Sequence, residues 1–161
     1  MYNMTIELKD NGILRRLQQA PQSVVNPAMN KFMSKASLMV VQRAKEKAPR
    51  AQGTLSGSIN ATPVKKTGNG YESSVGTNVE YAPHQEYGTG IYGKHGRPIT
   101  PKGKKVLAWK GGKFGKGWHF ARQVKGVRPK KFMKAGIEYL QSRQQGLVNE
   151  LAAEIKRGIE G

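Results

Sequence analysis

The stretch from Asn26 to Pro49, NPAMNKFMSKASLMVVQRAKEKAP, decides the fold. Met29, Phe32, Met33, Ala36, Val40 and Ala44 recur at steps of three and four, the spacing that sets side chains on one face of a helix. Asn26 is placed to cap that helix, and Pro27 suits a first helical position, where its missing N–H is no loss. Ala48 and Pro49 close it, so a helix is expected over 27–47. Its other face carries Lys31, Lys35, Arg43, Lys45 and Lys47 and reads as solvated, while the Met and Phe side chains read as core.

Working outward toward the amino terminus, MTIELK alternates as a short edge strand, and DNGILRRLQQA reads as a brief helix ended by Pro21. Toward the carboxyl terminus, the RAQGTL linker leads to SGSINATPVKK and GYESSVGTNVEY, two strand-like runs around TGNG, where Gly68 and Gly70 can supply positive φ. YAPHQEYGTG has room for one helical turn before Gly88 and Gly90, and IYGKHGRPITPKGKK continues as a loop punctuated by Gly and Pro. VLAW and WHFARQV offer a second hairpin across KGGKFGKG. KGVRP then leads to a last helix with Pro129 at its start. Phe132, Met133, Ala135, Gly136, Tyr139, Leu140, Leu147, Val148, Leu151, Ala152 and Ile155 give that helix an apolar face over 130–157, with Gly146 as its weak point.

The expected fold is therefore α+β: an antiparallel sheet of two hairpins packed against a long helix in the N-terminal half and a C-terminal helix, with a long loop rich in Gly, Pro and Lys. A chain of 161 residues suits a single domain. Its parts would be an arm and short helix at 1–25, the long helix at 26–48, the hairpin and YAPHQEY turn at 54–87, a flexible loop and start of the second hairpin at 88–117, and a strand and helix at 118–161. The loop is expected to be mobile in a free subunit and ordered by its neighbours.

Composition removes several functions. With no cysteine there is no disulfide, thiol nucleophile, thiolate zinc site or iron–sulfur site. No apolar run reaches the roughly 20 residues of a membrane span, and MYNMTIELKD lacks the basic-then-apolar order of a secretory signal, so a cytoplasm-made chain without membrane contact is expected. The net charge of +18 exceeds what solubility needs and points to a polyanion or an acidic protein surface. Residues 101–131 hold eleven basic side chains and no carboxylate, so this segment cannot neutralise itself.

Motifs that carry chemistry mostly fail in context. Gly88, Gly90 and Gly93 spell G-x-G-x-x-G, but Pro98 and Pro101 follow where a nucleotide-binding fingerprint needs a helix. His84 and Glu86 form H-x-E without the cysteine pair of a zinc deaminase. His95 and His119 have no ligand pairing at i, i+4, and Ser56 and Ser58 lack a nucleophile elbow. No catalytic, cofactor-binding or metal-binding residue is assigned, no cofactor is expected, and neither is an enzyme. WHFARQV has a likeness to a strand whose aromatic residues stack RNA bases, through Trp118 and Phe120 between Lys116 and Arg122. The shared face of Trp118, Phe120 and Val124 argues instead for core packing, and a second aromatic strand motif is missing.

Four segments together, AKEKAPRAQGTLSGSI, SVGTNVEYAPHQEYGTG, RPITPKGKKVLAWKGGK and HFARQVKGVRPKKFMKAGIEY, resemble the small tail-component proteins of long-tailed bacteriophages, also called neck, tail-terminator or tail-completion proteins. The likeness covers about residues 25–140. It is most specific at Ala48, Pro49, Gly53, Leu55 and Ser58, at Tyr81, Ala82, Glu86, Gly88, Thr89 and Gly90, and at Pro129, Phe132 and Ala135. The resemblance implies a structural virion protein, made in the host cytoplasm, that forms a homo-oligomeric ring, six-fold in expectation, at the head–tail junction. Its partners would be its own copies, the head connector and the tail-tube proteins. The basic cluster of Lys102, Lys104, Lys105, Lys113, Lys116, Arg122, Lys125 and Arg128 would then meet an acidic partner ring, or make non-specific contact with DNA in the channel. A basic nucleic-acid-binding protein is the alternative from another class, and a hydrolase is the third.

Overall fold

The computed structural model describes residues 19–49, 53–68, 70–111 and 115–160. The strand expected at MTIELK and most of the short helix before Pro21 lie outside them. The chain forms two compact units, one from residues 1–79 with 132–161 and one from the intervening 80–131.

The first unit is organised by two long helices. Helix α1 spans Gln22–Lys47, buries Val25, Ala28, Phe32, Met33, Ala36, Ser37, Val40, Val41 and Ala44, and packs along α4, Phe132–Glu160. The α4 side of the contact is Phe132, Met133, Gly136, Leu140, Leu147, Val148, Leu151 and Ile155, the apolar face expected from the sequence. Each such large side chain taken from water stabilises the pair by roughly 1.5–3 kcal/mol. Two ion pairs tie the helices at their rim, Lys31 with Glu154 at 2.9 Å and Lys35 with Glu150. Gly136 lets them approach: a Cβ there would lie 2.8 Å from the Val40 carbonyl oxygen. Gly146 leaves α4 unbroken, in open space.

The start of α1 corrects the expectation. The helix begins five residues before Pro27, which sits inside it. Pro21 flanks its first turn and accepts hydrogen bonds from the amides of Val24 and Val25 at 2.9 and 3.0 Å. Asn26 makes no cap. Its Oδ1 takes hydrogen bonds from the Tyr71 hydroxyl and, at 3.1 Å, from Lys66 Nζ, so it anchors the neighbouring hairpin to the helix.

That hairpin follows a one-turn helix α2, Thr54–Ser58, where the sequence suggested strand. Its ladder is divided in two: β1 (Asn60–Ala61) pairs with β4 (Val75–Gly76), and β2 (Lys65–Thr67) with β3 (Gly70–Glu72), all antiparallel. Pro63, which has no N–H to donate, falls in the gap. Thr62 bridges the gap, donating its amide to Ser74 O at 2.8 Å and accepting the Ser74 amide on Oγ1 at 2.9 Å. Ser37 of α1 lies 2.9 Å from Ser73 Oγ, which donates to Thr62 O, so the buried hydroxyls are satisfied in a chain. Leu55, Ile59 and Val75 complete the core.

The second unit holds α3 (Ala82–Tyr87), a 3₁₀ turn at Gly90–Tyr92, and the antiparallel pair β5 (Leu107–Lys110) and β6 (Trp118–Ala121). The fold is α+β as expected, with its strands in separate two-stranded ladders. Pro129 does not open the last helix, which starts at Phe132. The amides of Lys130 and Lys131 instead donate to Gln85 O at 2.7 Å and Glu86 O at 3.3 Å, carbonyls that the last turn of α3 leaves without helical partners.

Candidate functional site

The second unit is built on a backbone seam. The Thr89 amide donates to Val127 O at 2.9 Å, and Thr89 Oγ1 accepts the Val127 amide at 3.0 Å. The Ile91 amide donates to Lys125 O at 2.9 Å, and Ile99 and Val124 exchange both hydrogen bonds at 2.9 and 3.0 Å. The two segments touch so closely that side chains are excluded between them. A Cβ on Gly90 would stand 2.2 Å from Lys125 O, and one on Gly126 would stand 2.2 Å from Thr89 O. Both glycines have positive φ, 63° and 90°. The glycines of GTGIYG thus serve close backbone approach, and no phosphate loop is needed to explain them.

The seam holds the β5–β6 ribbon beside an open groove of about 1170 Å³, lined among others by Tyr92, Trp109, Phe120, Val124 and Lys125. The Arg128 guanidinium lies over the Tyr92 ring, 5.1 Å from its centroid. Cross-strand register sets Trp118 opposite Lys110 and Phe120 opposite Ala108, all on one face. Here the core-packing expectation is overturned: Trp118 is 63% exposed and Phe120 65%. A two-stranded ribbon whose opposing positions are a lysine and a methyl cannot seal two large rings, and among the described residues nothing else covers them. Val124 is half-buried. On the other face Trp109 stands by His119, with ring centroids 5.7 Å apart.

The unit contains thirteen Lys or Arg and two carboxylates, a net +11 of the chain's +18. Lys102, Lys104 and Lys105 are exposed on the loop before β5, Lys116 and Arg122 are exposed on either side of β6, and Lys125 and Arg128 are exposed along the seam. Lys113 lies outside the described residues. Among the described residues none of these cations is ion-paired, whereas the first unit contains the pairs already given together with Arg43–Glu46, Lys134–Glu138 and Lys156–Glu160.

The residues that carry the tail-component likeness divide between the units and form no single site. Pro49, Gly53, Leu55 and Phe132 are in the first. Gly53 opens α2 with φ 69° and accepts the Gly57 amide on its carbonyl at 2.9 Å, while Leu55 and Phe132 are fully buried. Tyr81, Glu86, Gly88, Thr89 and Gly90 are in the second. Tyr81 is exposed, Glu86 is 3% exposed, and Gly88 has φ 76°. The Thr89 amide donates to Val127 O. His84 and His95 are exposed, and among the described residues no group of three His, Asp or Glu gathers as metal ligands would. Sequence reasoning missed Lys110 and Tyr92. The strand partner LAWK carried the signal for Lys110, because its residues opposite the rings are too small or too polar to bury them.

The first unit is thus a helix pair with a hairpin, and the second is rich in cations and carries exposed rings. Residues 11–88, just under half of the chain, match the family model described as "Bacteriophage HK97-gp10, putative tail-component". Neither the curated proteins nor the solved structures yield a match. The likeness to phage tail components is thus carried by α1, α2, the first hairpin and α3, and the Pro129, Phe132 and Ala135 set lies outside the matched stretch.

Proposed function

We propose that this chain is a structural virion protein that forms a ring at the head–tail junction of a tailed bacteriophage, completing the tail or joining it to the head connector. The observation that supports the reading is the tail-component family match over residues 11–88. A closed ring needs one surface of each subunit to meet a different surface of the next, repeated until the rotation closes. Exposed apolar side chains such as Leu38, Tyr87 and Ile91 are suited to such contacts. The ring is six-fold and assembles in the host cytoplasm, with the head connector and tail-tube proteins as neighbours. Lys102, Lys104 and Lys105 dock an acidic surface of a neighbouring ring. No catalytic step is assigned to the chain.

Electron microscopy tests this directly. Purified protein should give discrete rings under negative stain. Particles assembled without the chain should accumulate as separate heads and tails. Joined particles in its absence, or a strictly monomeric protein that never enters the virion, would overturn the reading.

A further inference from the structure

Among the described residues, nothing packs over the exposed face of the β5–β6 ribbon. Trp118 and Phe120 are the most exposed large hydrophobic side chains described, and burying either would stabilise the protein. They are held nearly parallel, with 21° between ring planes and 6.4 Å between centroids. Cations surround them: Lys110 directly across the ladder, Lys116 two residues before Trp118 and Arg122 two residues after Phe120. Among the described residues none of these cations is neutralised by a carboxylate.

We propose that this face binds single-stranded nucleic acid, with bases stacked on Trp118 and Phe120 and phosphates drawn by Lys110, Lys116 and Arg122. Two properties of the ligand are specified independently. Unpaired cations at this density call for a polyanion, and exposed parallel rings call for flat apolar faces that repeat along that polyanion. Single strands supply both, because every base has a π-face and every nucleotide carries a phosphate. A duplex satisfies only the charge, since its bases are stacked on one another. An acidic protein surface also satisfies the charge and brings no repeating planar faces to fill the ring pair. This site is independent of the chain's position in the particle and could be present in a protein of any assembly role.

The test uses the full chain in fluorescence titrations with oligo-dT, oligo-U, a DNA duplex of equal length and poly-glutamate, each over a range of salt. Oligo-dT or oligo-U should bind more tightly than duplex or poly-glutamate at every salt concentration, and the comparison of the first two separates DNA from RNA as the natural strand. Trp118→Ala and Phe120→Ala should each weaken single-strand binding by roughly 5- to 150-fold. Phe120→Tyr should retain binding, while Phe120→Leu, which keeps apolar bulk and removes the ring, should lose it. Lys110→Gln, Lys116→Gln and Arg122→Gln should flatten the salt dependence and leave the preference for single strands intact. Duplex or poly-glutamate binding as tightly as oligo-dT and oligo-U would overturn the proposal, and so would ring variants, folded by circular dichroism, that bind single strands like the parent.

Discussion

Gly126 carries no side chain because the Thr89 carbonyl occupies the place where one would go. Its φ of 90° adds a second reason, since an L side chain is strained there even in open space. Gly126→Ala and Gly90→Ala should therefore each destabilise the second unit by on the order of 2–3 kcal/mol. Gly57→Ala meets nothing within 4 Å and should be neutral or slightly stabilising, so thermal unfolding of the three variants separates seam packing from loss of glycine as such. Glu86 belongs to the same scale. As a carboxylate buried in α3, its replacement by Ala should act on folding, read as a lowered midpoint of thermal unfolding. Glu46 shows how weakly an exposed pair matters. A hydrogen bond from Arg43 at 2.9 Å holds its carboxyl below the usual carboxylate value, so whatever stability the pair adds is present above that value and lost as pH falls through the lowered one. Unfolding of Glu46→Gln against pH should show a small deficit at neutral pH that disappears in acid.

At the scale of elements, the two long helices were legible because their apolar residues recur at the helical period over many turns, and both apolar faces are buried as read. The beginning of α1 was not. Asn26 and Pro27 together spell a helix start, but Asn26 is spent on Tyr71 and Lys66, contacts 45 and 40 residues away that no local pattern reveals. Strands of two to four residues are too short for alternation to say which face is covered, which is why Trp118 and Phe120 were read as core. The seam was hidden for another reason: it joins residues far apart in sequence, such as Thr89 and Val127, through backbone atoms and glycines, where hydrophobic patterning is silent. It also divides the segment expected to be mobile. Amides of Thr89, Ile91, Ile99, Val124 and Val127 should exchange slowly, being hydrogen-bonded, while those of 102–106 should exchange rapidly in the free subunit and slow on assembly. Hydrogen exchange followed by mass spectrometry on subunit and ring checks this, and uniformly fast exchange across 88–127 would show that the seam does not persist in solution.

Across the whole molecule, charge is partitioned unequally between the units. Residues 1–79 with 132–161 carry fifteen basic and eight acidic side chains, a net +7, while 80–131 holds +11 in 52 residues. Among the described residues, five ion pairs lie in the first unit, so part of its charge is spent internally, whereas the described cations of the second make none. These free cations fall into two groups with different surroundings. Lys110, Lys116 and Arg122 flank exposed rings, while Lys102, Lys104 and Lys105 sit on a loop with Gly103 among them, a location suited to pure charge docking. Docking of that kind is short-ranged, because the Debye length is about 8 Å at physiological ionic strength, so it depends on an acidic surface brought close by the ring itself. Changing Lys102, Lys104 and Lys105 together to Gln should therefore leave ring formation intact and reduce the joining of purified heads to tails, with the deficit largest at low salt and shrinking as salt weakens the parent. Counting joined particles by electron microscopy across a salt series measures this. A triple variant that joins normally but retains or ejects its genome poorly would move these lysines to the DNA channel, where an adhesive wall would act on the moving polyanion after joining is complete.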